Sequence, residues 1–220
     1  WQMDYTLMNP KKNWIFDFDG TLIDSAPAIK ICYEKVTENI APQRINIIKN
    51  LQIGPTLAET AKVILGKEFL HRLKDFISDF KYEYDQILLS KTNAYKGVNE
   101  LLKELKFRGN KIAIATNKRQ GPTLKIIKHF NWGDYFNWVA CLNPDNKVIR
   151  NKSELVQSIL VNDSDFQESF FVGDTLNDAL CARDNDLKFI KASYGYSEET
   201  GWDDFEVYQD ISNPIKILKI

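Results

Sequence analysis

No run in these 220 residues approaches the roughly 18 to 20 apolar positions that a membrane-spanning helix needs. The opening stretch, WQMDYTLMNPKKN, lacks the apolar segment of a signal peptide. Together these predict a cytoplasmic protein with no membrane partner. Cysteine is scarce: Cys32, Cys141 and Cys181 are odd in number, widely scattered and form no CxxC pair. That argues against a disulfide framework or a structural zinc site and fits small core residues in a reducing compartment. Net charge is -1, so there is no overall basic field of the kind that draws nucleic acid. Histidine occurs only twice, as His71 and His129, both expected on a helix surface or in the core. Internal repeats and low-complexity tracts are missing too, and nothing in the pattern specifies an oligomer.

What is present is an ordinary globular composition, 44% hydrophobic and 27% charged, long enough for one good core plus a smaller lobe. Short apolar runs read as strands over Trp14–Phe18, Lys111–Thr116, Trp138–Leu142, Ser169–Val172 and Lys188–Ala192. Between them lie helical stripes such as Val98, Leu101, Leu102 and Leu105, or Leu155, Val156, Ile159 and Leu160. Strand–helix alternation of this kind predicts an α/β fold: a parallel sheet with helices on both faces. The stretch from Ser25 to Thr92 breaks the alternation. It shows only helical periods, with Gly66 expected to end a helix, and is far too long for an ordinary strand-to-helix connection. It predicts an inserted, separate all-helical lobe (25–92), with the α/β core formed by 1–24 and 93–220.

Two carboxylate clusters carry the chemistry. WIFDFDGT (14–21) ends a buried run in Asp17 and Asp19, and FFVGDTLND (170–178) ends another in Asp174, with Asp178 in the first turn of the next helix. One such acid is explained by helix capping; two clusters are not. If the two strands are neighbours, their carboxylates converge at the carboxyl edge of the sheet, where ligands bind in open α/β folds. Converged carboxylates repel unless a cation neutralises them, and an all-oxygen donor set suits a hard ion, Mg²⁺ before Ca²⁺. IAIATNK (112–118) ends a third strand in Thr116 and Asn117, which suit phosphate oxygens or, alternatively, a helix cap. Lys152 is the candidate cation.

The pattern resembles the phosphatase branch of the haloacid dehalogenase superfamily, phosphoglycolate phosphatase-like, with a helical C1 cap. DFDGT (17–21) corresponds to its first motif, Thr116 to its second, Lys152 to its third and GDTLND (173–178) to its fourth. The resemblance implies a Rossmann-like sheet and Mg²⁺-dependent hydrolysis of a small phosphorylated metabolite through an aspartyl-phosphate. The metabolite could be phosphoglycolate-like, a sugar phosphate or a nucleotide. In that scheme Asp17 is the nucleophile and Asp19 the general acid and base; Thr116, Asn117 and Lys152 bind phosphate. The metal is held by Asp17, the Asp19 carbonyl and Asp174, with Asp178 orienting from behind. Asp19 fits a phosphatase or a β-phosphoglucomutase-type phosphomutase rather than a dehalogenase; a non-catalytic phosphate-binding module is the remaining alternative. The family's Tyr-Pro-Gly is here Tyr95-Lys96-Gly97, and Ser153 follows Lys152 where Pro is common, so Lys147 and Lys118 are alternatives for the third motif. The segment around Ile53-Gly54-Pro55-Thr56 is expected to face the site, and Leu51–Thr60 carries no Arg or Lys to hold a second phosphate.

Overall fold

The computed structural model describes residues 12–143, 149–197 and 200–220. Six strands form one parallel sheet: β1 (Trp14–Phe16), β4 (Ile112–Thr116), β5 (Trp138–Cys141), β6 (Phe170–Gly173), β7 (Lys188–Ala192) and β8 (Gln209–Ile211). Their order is β5-β4-β1-β6-β7-β8, so β1 lies at the centre between β4 and β6. Trp14 pairs with Ile112 on one side and Phe170 on the other. The central strands are apolar at nearly every position because both of their faces are covered.

Side-chain alternation along the strands divides the core in two. Trp14, Phe16, Ile112, Ile114, Phe170 and Val172 join one cluster, with residues of α4 (Val98–Phe107) and α5 (Gln120–His129). Ile15, Ala113, Ala115, Phe171 and Phe189 join the other, against α6 (Lys152–Asn162) and α7 (Leu176–Asp184).

Between residues 25 and 92 the chain is helical throughout its longer elements, α1 (Ala26–Ile40), α2 (Leu57–Phe69) and α3 (Leu73–Lys91). It leaves and re-enters the sheet domain through a two-residue antiparallel ladder, β2 (Ile23–Asp24) with β3 (Asn93–Ala94). Tyr33 of α1 packs its ring against Phe80 of α3 at 4.5 Å between centroids, and the aromatic stripe continues to Tyr84 at 5.8 Å from Phe80. A capping box starts α2: Glu59 N–H donates to Thr56 Oγ1 (3.3 Å) and Thr56 N–H donates back to Glu59 Oε2 (2.9 Å). As expected, Gly66 ends a helical stretch: at φ 58° and ψ -169° it leaves helical geometry and divides α2 in two. Arg44 donates to the carbonyls of Ile64 and Val63 that the kink frees.

The structure moves some expected boundaries. β1 stops at Phe16 rather than Phe18, because Leu22 and Ile23 N–H groups both turn back onto the Phe18 carbonyl at 3.0 Å. Lys152 lies on α6 itself, at its first position. β2, β3 and β8, of two or three residues each, are too short to leave a periodic signal. His71 and His129 are exposed, and all three cysteines are free. No described helix is long and apolar enough to cross a membrane.

Candidate active site

Three parallel neighbours, β4, β1 and β6, bring their carboxyl ends to one edge of the sheet. The chain order reverses here, with β4 and β5 on one side of β1 and β6 to β8 on the other. Asp17 follows β1, its N–H still donating to Val172 O at 2.8 Å. Asp174 follows β6 directly. Asn151 caps α6 by accepting from Glu154 N–H at 2.9 Å, and Lys152 at the first helical position turns inward. Its Nζ donates to Asp17 Oδ1 and to Asp178 Oδ1, each at 2.7 Å. All four of these side chains are buried.

Each carboxylate is held by specific donors. Asp178 Oδ2 accepts from the N–H groups of Thr175 (2.9 Å) and Asp174 (3.2 Å) and from Thr175 Oγ1 (2.7 Å). Asp174 accepts from Thr21 Oγ1 at 3.1 Å and from the Tyr196 N–H at 2.8 Å. Two glycines permit this closeness. A Cβ on Gly20, whose φ is +88°, would lie 2.1 Å from Asp174 Oδ2, and one on Gly195 would lie 2.1 Å from the Gly20 carbonyl oxygen.

Electrostatics follow from the crowding. Burial pushes the Asp17 carboxyl up from 3.8 to about 7; Lys152 opposes this, and Asp178 and Asp19 add to it. Burial, then Asp178 and Asp17, raise Asp174 well above its ordinary value. Burial works against the Lys152 ammonium, but Asp17 and Asp178 outweigh it and hold the group above its usual range. Asp17, Asp174 and Asp178 each offer an oxygen within 4.8 Å of the others. Three carboxylates against one ammonium leave two uncompensated negative charges when all are ionised, in a site with no water-exposed carboxylate among the three. This donor set fits a hard divalent cation.

The phosphate-binding candidates stand beside this group. Thr116 ends β4, and its Oγ1 accepts from Lys118 N–H at 3.1 Å, keeping its own hydrogen to donate. Asn117 lines a cavity of about 950 Å³ together with Lys152, Thr175, Gly54 and Thr56. The capping alternative for Thr116 and Asn117 is not what the chain adopts: Arg119 occupies the cap position of α5. The lysines divide between the acids. Lys152 serves Asp17, whereas Lys118 Nζ donates to Asp19 Oδ1 at 2.8 Å; Lys147 lies outside the described residues.

Some participants have no counterpart in the sequence reading. Tyr196 reaches both the site and the entrance to the helical segment. Its hydroxyl oxygen accepts from the N–H groups of Ser25 (2.8 Å) and Ala26 (2.9 Å) and donates to Asp24 Oδ1 (3.0 Å). The available signal was a Tyr-Gly-Tyr run one residue beyond β7, where a glycine points to close backbone approach. Tyr84, on α3, and Ser25, just before α1, reach Asp19 or its lysine from positions that carry no motif of their own.

Residues 14–192 match the family model for haloacid dehalogenase-like hydrolases. The chain therefore belongs to the haloacid dehalogenase-like hydrolase family. Among curated relatives it is 30% identical over 202 residues to the phosphoglycolate phosphatase of Psychrobacter arcticus, covering 85% of each chain. It is 31% identical over 197 residues to that of Rhodobacter capsulatus, covering 83% of this chain and 84% of the relative. The fold is shared with a solved structure described as a predicted phosphoglycolate phosphatase from Haemophilus somnus, with a TM-score of 0.83 and 20% identity over 96% of this chain and 98% of that one.

Proposed function

We propose that this chain is a phosphoric monoester hydrolase that transfers the phosphoryl group of a small metabolite first to Asp17 and then to water. The observation that carries the reading is Lys152 held at 2.7 Å from Asp17 within a buried carboxylate cluster at the carboxyl edge of the sheet. A buried ammonium beside a nucleophilic carboxylate lowers the repulsion that a phosphate dianion meets on approach. Asp17 Oδ attacks phosphorus as the bond to the leaving oxygen breaks, giving an aspartyl-phosphate. Asp19 donates a proton to the departing alkoxide and then, as carboxylate, takes one from the water that cleaves the intermediate. Thr116 and Asn117 hold phosphoryl oxygens. Asp17, Asp174 and the Asp19 carbonyl would hold Mg²⁺, which when bound supplies positive charge against those oxygens. Asp178, both of its oxygens engaged by Lys152 and residues 174–175, orients its neighbours rather than binding substrate.

The helical insertion, 25–92, is proposed as the specificity lobe over the core of 1–24 and 93–220. Its wall of the 950 Å³ cavity includes Asn46, Asn50, Gln52, Thr56 and Glu59 and carries no lysine or arginine. A bisphosphate, as a mutase requires, would find no cation on that wall; Arg150, on the sheet-domain side of the cavity, pairs with Glu154, and this favours hydrolysis of a monophosphate. The names of the relatives make 2-phosphoglycolate the first substrate to try. The test is phosphate release from a panel of phosphomonoesters, with Mg²⁺ and with chelator, using Asp17→Asn as control. Mg²⁺-dependent release lost in the variant supports the reading; a folded wild type that releases no phosphate from any ester overturns it.

A further inference from the structure

We propose that Tyr84, on the third helix of the insertion, is a positioning residue for Asp19, acting through Lys118. The inference rests on the phosphatase reading above and assigns a residue to its proton-transfer step. Lys118 Nζ lies 2.6 Å from Tyr84 Oη, 2.8 Å from Asp19 Oδ1 and 4.6 Å from the centre of the Tyr84 ring. The Lys118 side chain is only 8% exposed and Tyr84 only 3%. An ammonium removed from water must be met by partners, and among the described residues these are one carboxylate and one tyrosine. A lysine stem is flexible and takes its direction from what its head group binds. The phenol therefore decides where the charge sits, and the charge decides which way Asp19 points.

The arrangement also selects one oxygen of Asp19. Ser25 Oγ donates to Oδ1 as well, so among the described residues both donors meet at that atom. Asp19, Tyr84 and Lys118 line a cavity of about 120 Å³, together with Ile29 and Tyr33. With Oδ1 tied, Oδ2 is the oxygen left to carry the proton. As the phosphorus–oxygen bond breaks, its electron pair goes to the leaving oxygen. The proton passes from Oδ2 to that oxygen, and the carboxylate formed is already paired with Lys118.

Asp19 and Lys118 belong to the sheet domain, and Tyr84 to the insertion. The orientation of the general acid thereby depends on how the helices seat on the sheet. The neighbouring residues make a second link between the same two segments: Arg119 Nη2 lies 2.8 Å from Asp85 Oδ1. That pair is part-exposed, and although Arg119 lines the same cavity, neither residue has a hydrogen bond or ion pair to Asp19 among the described contacts. It provides a control for docking alone.

The dependence on leaving group separates positioning from docking. An alkoxide needs the proton in order to depart, whereas p-nitrophenolate leaves as the anion. The experiment measures kcat/KM, which reports steps up to leaving-group departure, for p-nitrophenyl phosphate and for a panel of alkyl esters that includes 2-phosphoglycolate. It uses wild type, Tyr84→Phe and Asp85→Asn. The Tyr84→Phe substitution retains the ring and removes the hydroxyl. The alkyl-to-aryl ratio of kcat/KM is expected to fall about tenfold in Tyr84→Phe, a fraction of the roughly hundredfold or more that acid–base groups contribute. Asp85→Asn is expected to keep the wild-type ratio. An unchanged ratio in Tyr84→Phe, or an equal fall in both variants, overturns the proposal. A wild type that hydrolyses p-nitrophenyl phosphate and no alkyl ester also overturns it while sparing the phosphatase reading. A wild type inert toward every ester removes both.

Discussion

Replacing the nucleophile should make the metal-free protein more stable. Asp17 is buried beside Asp174 and Asp178, and its carboxyl is pushed from 3.8 to about 7. Between those values the folded chain keeps a proton that the unfolded chain has released. The folded state thus binds more protons, and metal-free stability falls as pH rises through the window and levels off above it. The distance from 3.8 to about 7, at about 1.4 kcal/mol per tenfold, amounts to about 4 kcal/mol at pH 8. The opposing pull of Lys152 is already contained in that value, so Asp17→Asn removes the whole of this cost. Lys152 keeps Asp178 at 2.7 Å. The net gain expected at pH 8 in chelator is therefore up to about 4 kcal/mol, shrinking toward zero near pH 4. Urea unfolding of both proteins at several pH values measures it. A variant less stable than wild type at pH 8 by more than about 1 kcal/mol, or a difference that does not grow with pH, would refute the reasoning.

Three further outcomes follow from the same geometry. Because the raised carboxyls must shed protons to receive a cation, Mg²⁺ binding should release protons and tighten between about pH 6 and pH 8, as measured by calorimetry in two buffers of different ionisation heat. Gly20→Ala places a Cβ 2.1 Å from Asp174 Oδ2 at a φ of +88°, so it should cost at least about 2 kcal/mol in urea unfolding and weaken Mg²⁺ binding; stability within error of wild type would contradict the close approach. Tyr196→Phe removes the acceptor for the Ser25 N–H, while Ala26 N–H keeps Asp24 Oδ1 at 3.1 Å and the main-chain bond to Asp174 stays, and should cost about 1–3 kcal/mol with little change in Mg²⁺ affinity.

Legibility in the sequence tracked how local each cause was. The central strands showed because they are buried on both faces, so Trp14–Phe16, Ile112–Thr116 and Phe170–Gly173 stand out as unbroken apolar runs. Asp17 and Asp174 showed because a carboxylate directly behind such a run is costly without a partner. The pairing of the lysines showed only in part: Lys152 stood as the candidate cation, but with Lys118 and Lys147 as alternatives. Lys118 lies two residues beyond β4 and Lys152 opens α6, and only the sheet order and the inward turn of α6 send Lys152 to Asp17 and Lys118 to Asp19. Tyr84 and Tyr196 were hidden for the same reason. Each acts across more than 30 residues of sequence, Tyr84 on Lys118 and Tyr196 on Ser25, through contacts that exist only once the helices sit on the sheet.

The central claim is that Asp17 carries the phosphoryl group. Its most direct test is rapid acid quenching of wild-type enzyme during turnover of its best ester in Mg²⁺, followed by peptide mapping by mass spectrometry. The account predicts a peptide containing Asp17 heavier by one phosphoryl group, absent in Asp17→Asn and in chelator. Turnover with no phosphorylated peptide at any quench time, or with the phosphoryl group on another residue, would contradict it.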